Sequence, residues 1–299
     1  MSHKSRMPLG IGLIGLGHHG RRYAKHLLHD LPEARLVAVC RRRAEKGNGL
    51  ADAPAVPCYS DYHELIADSR VEAVVVVTPP TLNREVCTSV AQAKKALLVE
   101  KPLATTADDA RAIARAAQAS GQVMMTAQTL RFDAAVRALR ARQAEAGALQ
   151  YLSLASRMEP HAESEDWGFG GRGCVLEIGI HLLDLVRLLT QDEVHTVCCE
   201  MDRLAPAGPE RQMLGRLTTS GGLGCLVDVS RVTLRTDRAG GTDRERRAVI
   251  GGLVWTACHT DLSPARRRRV ADRDGANRDQ HATRLRASCP RRLAAAHHH

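Results

Sequence analysis

Apolar and polar positions along the chain follow two different patterns, one on each side of about residue 127. In the first part, short apolar runs typical of buried strands alternate with stretches that have helical spacing. The predicted strands cover 11–14, 35–40, 71–77, 96–99 and 123–125, and the predicted helices cover 21–28, 61–68, 82–95 and 106–119. This regular order predicts an α/β domain over 1–127, built on a doubly wound parallel sheet.

The second pattern, over 128–257, predicts an α+β domain with an antiparallel sheet. Two helices are predicted over 132–146 and 176–189, and strands over 151–156, 194–201, 213–218 and 223–229. The last two strands are joined by Thr219-Ser220-Gly221-Gly222, a sequence typical of a hairpin turn. A further strand is predicted over 249–255.

From Cys258 onwards the chain has neither helical nor alternating periodicity, and its composition is that of a disordered segment. We consider two interpretations of residues 258–299. One is a solvated basic tail. The other is a reading frame that departs from the ancestral gene, because a shifted frame in GC-rich DNA yields Arg/Ala/Pro-rich sequence. The closing His297–His299 resembles the remains of a purification tag.

The turn between the first strand and the first helix reads Gly15-Leu16-Gly17-His18-His19-Gly20. This GxGxxG spacing, followed by a helix and a second strand, is typical of a dinucleotide-binding unit. Gly15 would allow the tight turn, Gly17 would let the backbone approach a pyrophosphate, and Gly20 would let the helix pack closely. The free N–H groups of the first helical turn would then face the phosphates.

The second strand ends in Arg41-Arg42-Arg43, where an acidic residue would bind an adenosine ribose. Guanidinium groups instead bind a 2′-phosphate through charge-assisted hydrogen bonds. We therefore predict NADP(H) in preference to NAD(H), which stays possible, with the 2′-phosphate on Arg41 and Arg42. The alternative is three solvated arginines on a surface loop.

The ends of the predicted parallel strands carry polar residues that point to one crevice. Ligands of such sheets lie at the carboxyl ends of the strands, where Gly15, Arg41, Thr78 and Lys101 all lie. A lysine ammonium desolvated in a crevice loses its proton more readily, which makes Lys101 a candidate acid or base. The alternative is a structural ion pair between Lys101 and Glu100.

The predicted helix over 176–189 carries Glu177, His181 and Asp184 on one face. Either carboxylate could orient the imidazole and stabilise its protonated form, as a proton-transferring histidine requires. The alternative is a partly buried histidine beside two surface acids.

The composition of the chain excludes several classes of protein. No apolar run approaches the roughly 20 residues of a membrane span, and no signal-peptide core is visible, which predicts a cytoplasmic protein. The net charge is +10, but most of the excess lies after Leu234, which argues against nucleic-acid binding as a function. The nine cysteines form no CxxC motif, so we expect reduced thiols and no metal site.

Four motifs occur together in a fixed order. They are the GxGxxG turn, Thr78-Pro79-Pro80, Glu100-Lys101-Pro102, and Gly171-Arg172-Gly173 followed by Glu177-x-Gly-x-His181-x-x-Asp184. On these motifs the chain resembles the glucose–fructose oxidoreductase, inositol dehydrogenase and MocA family, from about Leu9 to Ser230.

The resemblance implies a Rossmann domain followed by a domain with an open, mainly antiparallel sheet, and homo-oligomers formed through that sheet. It also implies nicotinamide-dependent oxidation of a hydroxyl of a sugar or cyclitol. Lys101 and His181 would then lie near the reacting carbon. The acidic position four residues before the histidine is usually Asp in the family and is Glu177 here, and the usual His after the Thr-Pro motif is Asn83.

We therefore expect three sets of site residues and no metal. The expected catalytic residues are Lys101, His181 and Glu177. The expected cofactor-binding residues are Gly15, Leu16, Gly17, His18, His19, Gly20, Arg41, Arg42, Thr78, Pro79, Asn83, Glu100 and Lys101. The weaker candidates for substrate contact are Arg131, Trp167 and Asp184. The alternative function is a non-catalytic NADP-binding regulatory or partner protein of the same fold, which the unpatterned tail favours.

Overall fold

The computed structural model describes residues 7–43, 49–50, 53, 55–158, 169, 171–203 and 208–231. These residues form two sheets, each with its own helices. Trp167, the predicted strand over 249–255 and the predicted tail over 258–299 lie outside the described residues. The predicted domain limits therefore stay predictions.

The first sheet has six parallel strands in the order β3-β2-β1-β4-β5-β6. Its strands are β1 Leu9–Ile14, β2 Ala34–Cys40, β3 Cys58–Tyr59, β4 Ala73–Val76, β5 Ala96–Glu100 and β6 Met124–Ala127. Its helices are α1 His18–His29, α2 Tyr62–Ala67, α3 Asn83–Gln92 and α4 Ala107–Ser120. The predicted doubly wound parallel sheet is confirmed, and β3 is an additional edge strand.

The central strands are apolar throughout because side chains from both of their faces are buried. Leu13 of β1 and Val74 of β4 are fully buried and belong to two different hydrophobic clusters of this domain. Side-chain caps mark where helices begin: the hydroxyl of Thr106 accepts a hydrogen bond from the backbone N–H of Asp109 at the start of α4.

The second sheet has four strands in the order β7-β10-β9-β8. The strands are β7 Leu152–Arg157, β8 Val194–Arg203, β9 Glu210–Thr219 and β10 Gly224–Ser230, and the helices are α5 Ala134–Arg142 and α6 Ile180–Thr190. Strands β9 and β10 form the predicted hairpin, and β8 pairs antiparallel with β9. Strand β10 also pairs with β7 in parallel, because the chain crosses over through α6 between them.

One face of the second sheet packs on helices and the other is open. On β10, Cys225, Val227 and Val229 are buried in a cluster with residues of α6. On the opposite face Leu214 of β9 is 43% exposed, and almost all of β8 is exposed. Within the described ranges, no helix has the length and apolar character needed to cross a membrane.

Two helices differ from their predicted limits for local reasons. Helix α5 begins only at Ala134, because the carboxylate of Asp133 accepts hydrogen bonds from the N–H groups of Ala135 and Val136 and so caps it. The helix predicted over 176–189 starts instead as a π-helical turn, Val175–Gly179, which α6 then follows. A π turn closes its hydrogen bonds between residues five apart, so the predicted helical stripe does not extend through it.

Candidate functional site

The glycine turn between β1 and α1 is packed too tightly for side chains at two of its three glycines. Gly15 has a φ of 97°, and a Cβ there would overlap the carbonyl oxygen of Val77. A Cβ on Gly20 would overlap the carbonyl oxygen of Gly15. A Cβ on Gly17, in contrast, would meet nothing within 4 Å. Gly17 therefore borders open space at the start of α1, where a pyrophosphate can approach the backbone.

The first turn of α1 keeps backbone donors available for an anion. Gly17 occupies the N-cap position, no side chain caps the helix, and its first turn has no acidic residue. The first N–H groups of a helix have no intrahelical acceptor, and the helix dipole favours negative charge beside them. The residues present therefore fit the pyrophosphate of a dinucleotide. Leu16 is buried, so only its backbone can face that group.

The two histidines of the turn, His18 and His19, have their rings in edge-to-face contact. Burial lowers the pKa of His19, and the nearby Glu100 carboxylate opposes that shift. The structure thus brings His19 near the end of β5, beside Glu100 and Lys101. The predicted contact of these histidines with a cofactor stays a prediction.

Asn83 joins the Thr78-Pro79 turn to the loop after Lys101. Its side-chain oxygen accepts a hydrogen bond from the hydroxyl of Thr78 (2.9 Å), and its amide nitrogen donates to the carbonyl oxygens of Pro102 (3.2 Å) and Leu103 (3.1 Å). The residue is only 1% exposed. We therefore correct the expected role of Asn83: its side chain supports the two turns from behind and is not exposed to contact a cofactor directly.

The side chains of Glu100 and Lys101 bond to different partners. One oxygen of Glu100 accepts from the hydroxyl of Tyr23 (3.0 Å) and the other from the backbone N–H of Lys101 (2.8 Å). The ammonium of Lys101 donates to the backbone oxygen of Glu177 (2.8 Å) in the second domain. The alternative ion pair between Lys101 and Glu100 does not form among the described residues. Burial lowers the pKa of Lys101, against the opposing effect of the two carboxylates.

His181 lies in the first turn of α6 with one ring nitrogen unused. Its Nδ1 is buried and has no hydrogen-bond partner within the described part of the chain. Burial lowers the pKa of His181 to about 4, and the positive charge of Lys101 lowers it further, while Asp184 opposes the shift. The imidazole is therefore neutral at pH 7, the form that can accept a proton.

Both carboxylates predicted to orient His181 are held by arginines instead. Asp184 accepts two hydrogen bonds of 2.7 Å from Arg131, and Glu177 is bound at both oxygens by Arg231, which directly follows β10. Across the described residues, neither carboxylate hydrogen-bonds to His181. The predicted orientation of the imidazole by Glu177 or Asp184 is therefore not made through a hydrogen bond among these residues, because Arg131 and Arg231 engage the carboxylates, although the charge of Asp184 does favour protonated His181.

The Glu177–Arg231 pair is expected to contribute substantially to stability. The two side chains are only 17% and 11% exposed, and removal of one member leaves a poorly solvated charge. We expect Arg231→Met to lower the free energy of unfolding by about 1–3 kcal/mol, the usual cost of leaving a buried polar group without its partner, measured by urea denaturation.

A matched control is available in the same sheet. Arg211 pairs with Asp202, and these side chains are 43% and 50% exposed. Arg211→Met should cost less than about 1 kcal/mol, because exposed ion pairs contribute little. Equal losses in the two variants would contradict the assignment of Glu177–Arg231 as a buried pair.

The arginines at the end of β2 differ from each other in exposure. Arg41 is partly buried and its backbone N–H donates to the carbonyl of Tyr59 (3.0 Å), whereas Arg42 is exposed.

Sequence reasoning missed Arg231 and Tyr23, which hold Glu177 and Glu100. No short motif marks either residue, because each acts through a partner more than 50 residues away.

Comparison with known families identifies both parts of the chain. Residues 9–128 match the family described as "Oxidoreductase family, NAD-binding Rossmann fold", and residues 134–252 match "GFO/IDH/MocA C-terminal domain". Over the described residues, these two matches cover the parallel sheet and the mixed sheet respectively.

Individual relatives agree with this result. An inositol 2-dehydrogenase from Rubrobacter xylanophilus is 29% identical over 72% of this chain and 62% of its own length, and a myo-inositol 2-dehydrogenase from Thermotoga maritima is 28% identical over 81% and 70%. The chain thus spans about six tenths of the length of the first relative. The crystal structure of myo-inositol 2-dehydrogenase from Lactobacillus plantarum superposes with a TM-score of 0.67 at 21% identity, covering 76% of this chain and 70% of that one, which shows the fold alone. The chain belongs to the GFO/IDH/MocA oxidoreductase family, with an N-terminal NAD-binding Rossmann fold.

Proposed function

We propose that this protein is an NADP(H)-dependent oxidoreductase that transfers a hydride between the nicotinamide and a hydroxyl or carbonyl carbon of a sugar, sugar derivative or cyclitol. One observation carries the proposal. Lys101 of the first domain hydrogen-bonds to the backbone of Glu177, and His181 lies one turn further along with an unpartnered Nδ1. Two groups that can exchange protons thus lie together at the carboxyl end of the parallel sheet, where ligands of this fold bind.

The substrate class is supported by the relatives. Two of them are named as inositol 2-dehydrogenases, and they match this chain over most of its length. A cyclitol or sugar presents a secondary hydroxyl whose proton must leave as its carbon is oxidised, which is the task that Lys101 and His181 fit. The non-catalytic alternative gains no support from these relatives.

The preference for NADP(H) is supported by the residues at the end of β2. This position has arginines and no carboxylate, and an arginine binds a phosphate dianion while an acidic residue would repel it. Gly17 and the first turn of α1 would hold the pyrophosphate. Thr78, Pro79 and Lys101, at the ends of neighbouring strands, would border the nicotinamide.

In the proposed chemistry the cofactor carries the hydride and side chains of the protein carry the proton. The nicotinamide, when bound, accepts or supplies the hydride at its C4. In the oxidative direction, neutral His181 accepts the proton of the substrate hydroxyl, and Lys101 donates a hydrogen bond to the substrate oxygen. The proton moves back from these groups in the reductive direction. Arg131, Asp184 and Trp167 remain candidates for the substrate wall, and Arg131 is already oriented by its bidentate pair with Asp184.

Burial of neutral His181 predicts a pH-dependent contribution to stability. The pKa of this histidine is about 4 in the folded protein and near 6.5 in the unfolded chain. Between these values the unfolded chain binds a proton that the folded protein does not, so this contribution to stability is lost as the pH falls from about 6.5 towards 4. The limiting slope for one group is about 1.4 kcal/mol per pH unit.

The variant His181→Gln isolates this effect, since it cannot titrate. The free energy of unfolding of the variant minus that of the unmodified protein should be more positive at pH 5 than at pH 7.5. Urea unfolding of both proteins at both pH values measures this difference. The exposed His195 of β8 provides the matched variant, His195→Gln. A stability difference between His181→Gln and the unmodified protein that stays constant from pH 7.5 to pH 5 would show that His181 is not buried in its neutral form.

Self-association through the second sheet is part of the proposal. The open face and the edge strand β8 expose Val197, Met201 and Leu214, which a second copy of the chain could cover. The expected cytoplasmic location stays a prediction.

The proposed function is tested with the full chain. NADPH and NADH are titrated by nicotinamide fluorescence, and NADP⁺ or NAD⁺ reduction is then followed at 340 nm with myo-inositol, scyllo-inositol and D-glucose. Saturable NADPH binding with turnover of a polyol is expected. Binding of either dinucleotide with no turnover across a broad panel of polyols would favour a non-catalytic protein, and binding of neither would overturn the proposal.

A further inference from the structure

Glu177 is bound by two cations, one at its backbone and one at its side chain. The ammonium of Lys101 donates a hydrogen bond to the backbone oxygen of Glu177 (2.8 Å). The guanidinium of Arg231 binds both carboxylate oxygens of the same residue, and its Nε lies 2.6 Å from Oε2. A continuous chain of contacts therefore runs from Arg231 through Glu177 to Lys101.

Arg231 is fixed at the end of the second sheet. It directly follows β10, and its backbone N–H donates to the carbonyl oxygen of Arg211 on β9 (2.8 Å). Its side chain is only 11% exposed. Glu177 lies in the π turn Val175–Gly179, and such turns occur frequently at functional sites. The end of a paired strand thus holds the turn that receives Lys101.

The two carboxylates that act on the Lys101 charge are bound by other donors. Glu100 accepts hydrogen bonds from the hydroxyl of Tyr23 and from the backbone N–H of Lys101. Glu177 accepts from Arg231. An ammonium has three N–H donors, and its hydrogen bonds to carboxylates are stronger than those to neutral carbonyls. Among the described residues the Lys101 ammonium donates to one backbone carbonyl, so its other donors are not committed to an ion pair there.

Arg231 also acts on Lys101 through its charge. Within the described part of the chain, the charged and titratable groups that interact with the Lys101 ammonium are Glu100, Glu177, Arg231, His181 and His19. Burial lowers the pKa of Lys101, the two carboxylates oppose that shift, and Arg231 adds to it. Loss of Arg231 therefore has two effects of the same sign on Lys101. It removes a repelling charge, and it releases the Glu177 carboxylate towards the ammonium.

We propose that Arg231 is a positioning residue that holds the Glu177 carboxylate away from the Lys101 ammonium and fixes the π turn whose carbonyl receives that ammonium. Lys101 thereby keeps N–H donors available for the substrate oxygen. Glu177 acts in this arrangement through its main chain and its pair with Arg231, and not as a group that transfers a proton. The inference rests on the proposed function, because it specifies how the Lys101 of that site is held.

The first test follows the charge of Lys101 by ¹³C NMR of the full chain labelled in its lysine side chains. The chain has six lysines, so loss of one signal in Lys101→Arg assigns it. Arg231→Met should raise the titration midpoint of Lys101 by about 0.5–1 pH unit, because a positive charge is lost and a carboxylate is released. Glu177→Gln should lower that midpoint by about the same amount, because the Arg231 charge then acts without this carboxylate.

Lys95 provides an internal control in the same spectra. Its ammonium also donates to backbone carbonyls, those of Asp68 (2.8 Å) and Val71 (2.6 Å), and burial lowers its pKa too. Lys95 directly precedes β5 and Lys101 directly follows it. About 20 Å of strand separates the two lysines, so the Lys95 midpoint should stay within about 0.2 pH unit in every folded variant.

Arg211→Met is the matched control for the lost charge. The side chain of Arg211 pairs with Asp202, and both are about half exposed. The variant removes a positive charge from the same sheet and leaves the Glu177–Arg231 pair intact. It should leave the Lys101 midpoint within about 0.2 pH unit, because exposed charges are screened by solvent and salt.

Turnover is the second test, with the polyol of the panel that the unmodified protein oxidises fastest. Arg231→Met should lower kcat by about 10- to 100-fold, as expected when a catalytic group is misplaced, and leave the NADPH affinity within about 3-fold. Arg231→Lys keeps the charge and loses the bidentate fork. It should keep the Lys101 midpoint near that of the unmodified protein and restore part of the turnover.

The outcomes separate this inference from the proposed function. Equal Lys101 midpoints in Arg231→Met, Glu177→Gln and the unmodified protein would overturn the role of Arg231 and leave the oxidoreductase in place. Shifts of one sign in both variants would also overturn it, because loosening of the turn and not the Arg231 charge would then act on Lys101. So would a normal kcat in Arg231→Met. Opposite shifts in a protein that binds neither dinucleotide would support the hold of Arg231 on Lys101 and overturn the proposed function.

Discussion

Replacement of His181 or Lys101 by alanine is expected to lower turnover by about 10²–10⁴-fold and to leave NADPH binding within a few-fold of normal. His181 contributes an imidazole with a buried, unpartnered Nδ1, and Lys101 contributes an ammonium held against the second domain. Neither side chain lies at the glycine turn that would hold the pyrophosphate. The loss should therefore appear in kcat and not in the dissociation constant of NADPH. Steady-state kinetics with a polyol substrate and a fluorescence titration measure the two quantities.

The controls for this pair replace the same residue types outside the site. His195→Ala changes an exposed histidine on β8, and Lys25→Ala changes an exposed lysine on α1. Both should retain turnover within about 2-fold, as is usual for surface substitutions. Normal turnover in both His181→Ala and Lys101→Ala would remove the proton-exchange roles, and the proposal would then need other groups.

Gly17→Ala is expected to lose NADPH binding alone, and Gly20→Ala is expected to lose both stability and binding. A methyl group on Gly17 meets nothing within 4 Å, so the variant should fold with an unchanged melting temperature. The methyl group would occupy the space that a pyrophosphate needs, and the affinity for NADPH should fall by at least about 100-fold. A methyl group on Gly20 would overlap the carbonyl oxygen of Gly15, so α1 could not pack on the strand end.

Gly20→Ala should accordingly lose stability as well as binding, by several kcal/mol if the turn cannot relax. Thermal unfolding and NADPH titration of the two variants separate these effects. Normal NADPH affinity in Gly17→Ala would mean that the dinucleotide does not approach this turn. An unchanged melting temperature in Gly20→Ala would mean that the turn relaxes at little cost.

Most of the fold could be predicted from the sequence because buried parallel strands leave a clear pattern. Runs such as 71–77 are apolar at every position, and strands of this kind with helices between them fit few architectures. Strand β3, with only two residues, is too short to produce any pattern. The parallel pairing of β7 with β10 was also not predicted, because it depends on a crossover through α6 and not on the local sequence of either strand.

The candidate site could be predicted only in part. The residues at strand ends, such as Lys101, follow from topology, since parallel strands deliver their carboxyl ends to one edge. The hydrogen-bond partners of these residues do not follow from topology. Arg231 meets Glu177 across 54 positions of sequence, and Tyr23 meets Glu100 across 77. The π turn before α6 also has no sequence signal that periodicity detects, so the regular α-helical spacing expected between Glu177 and His181 is interrupted.

The hydrogen bond from Lys101 to the backbone of Glu177 joins the two domains and couples their binding free energies. Its donor side chain follows the strand that borders the proposed nicotinamide position, and its acceptor lies in the turn that leads to His181. A ligand that binds to one domain and strengthens or weakens this bond also changes the free energy with which the other domain binds its own ligand. Linkage then requires reciprocity: if the dinucleotide raises the affinity for a polyol by some factor, the polyol must raise the affinity for the dinucleotide by the same factor.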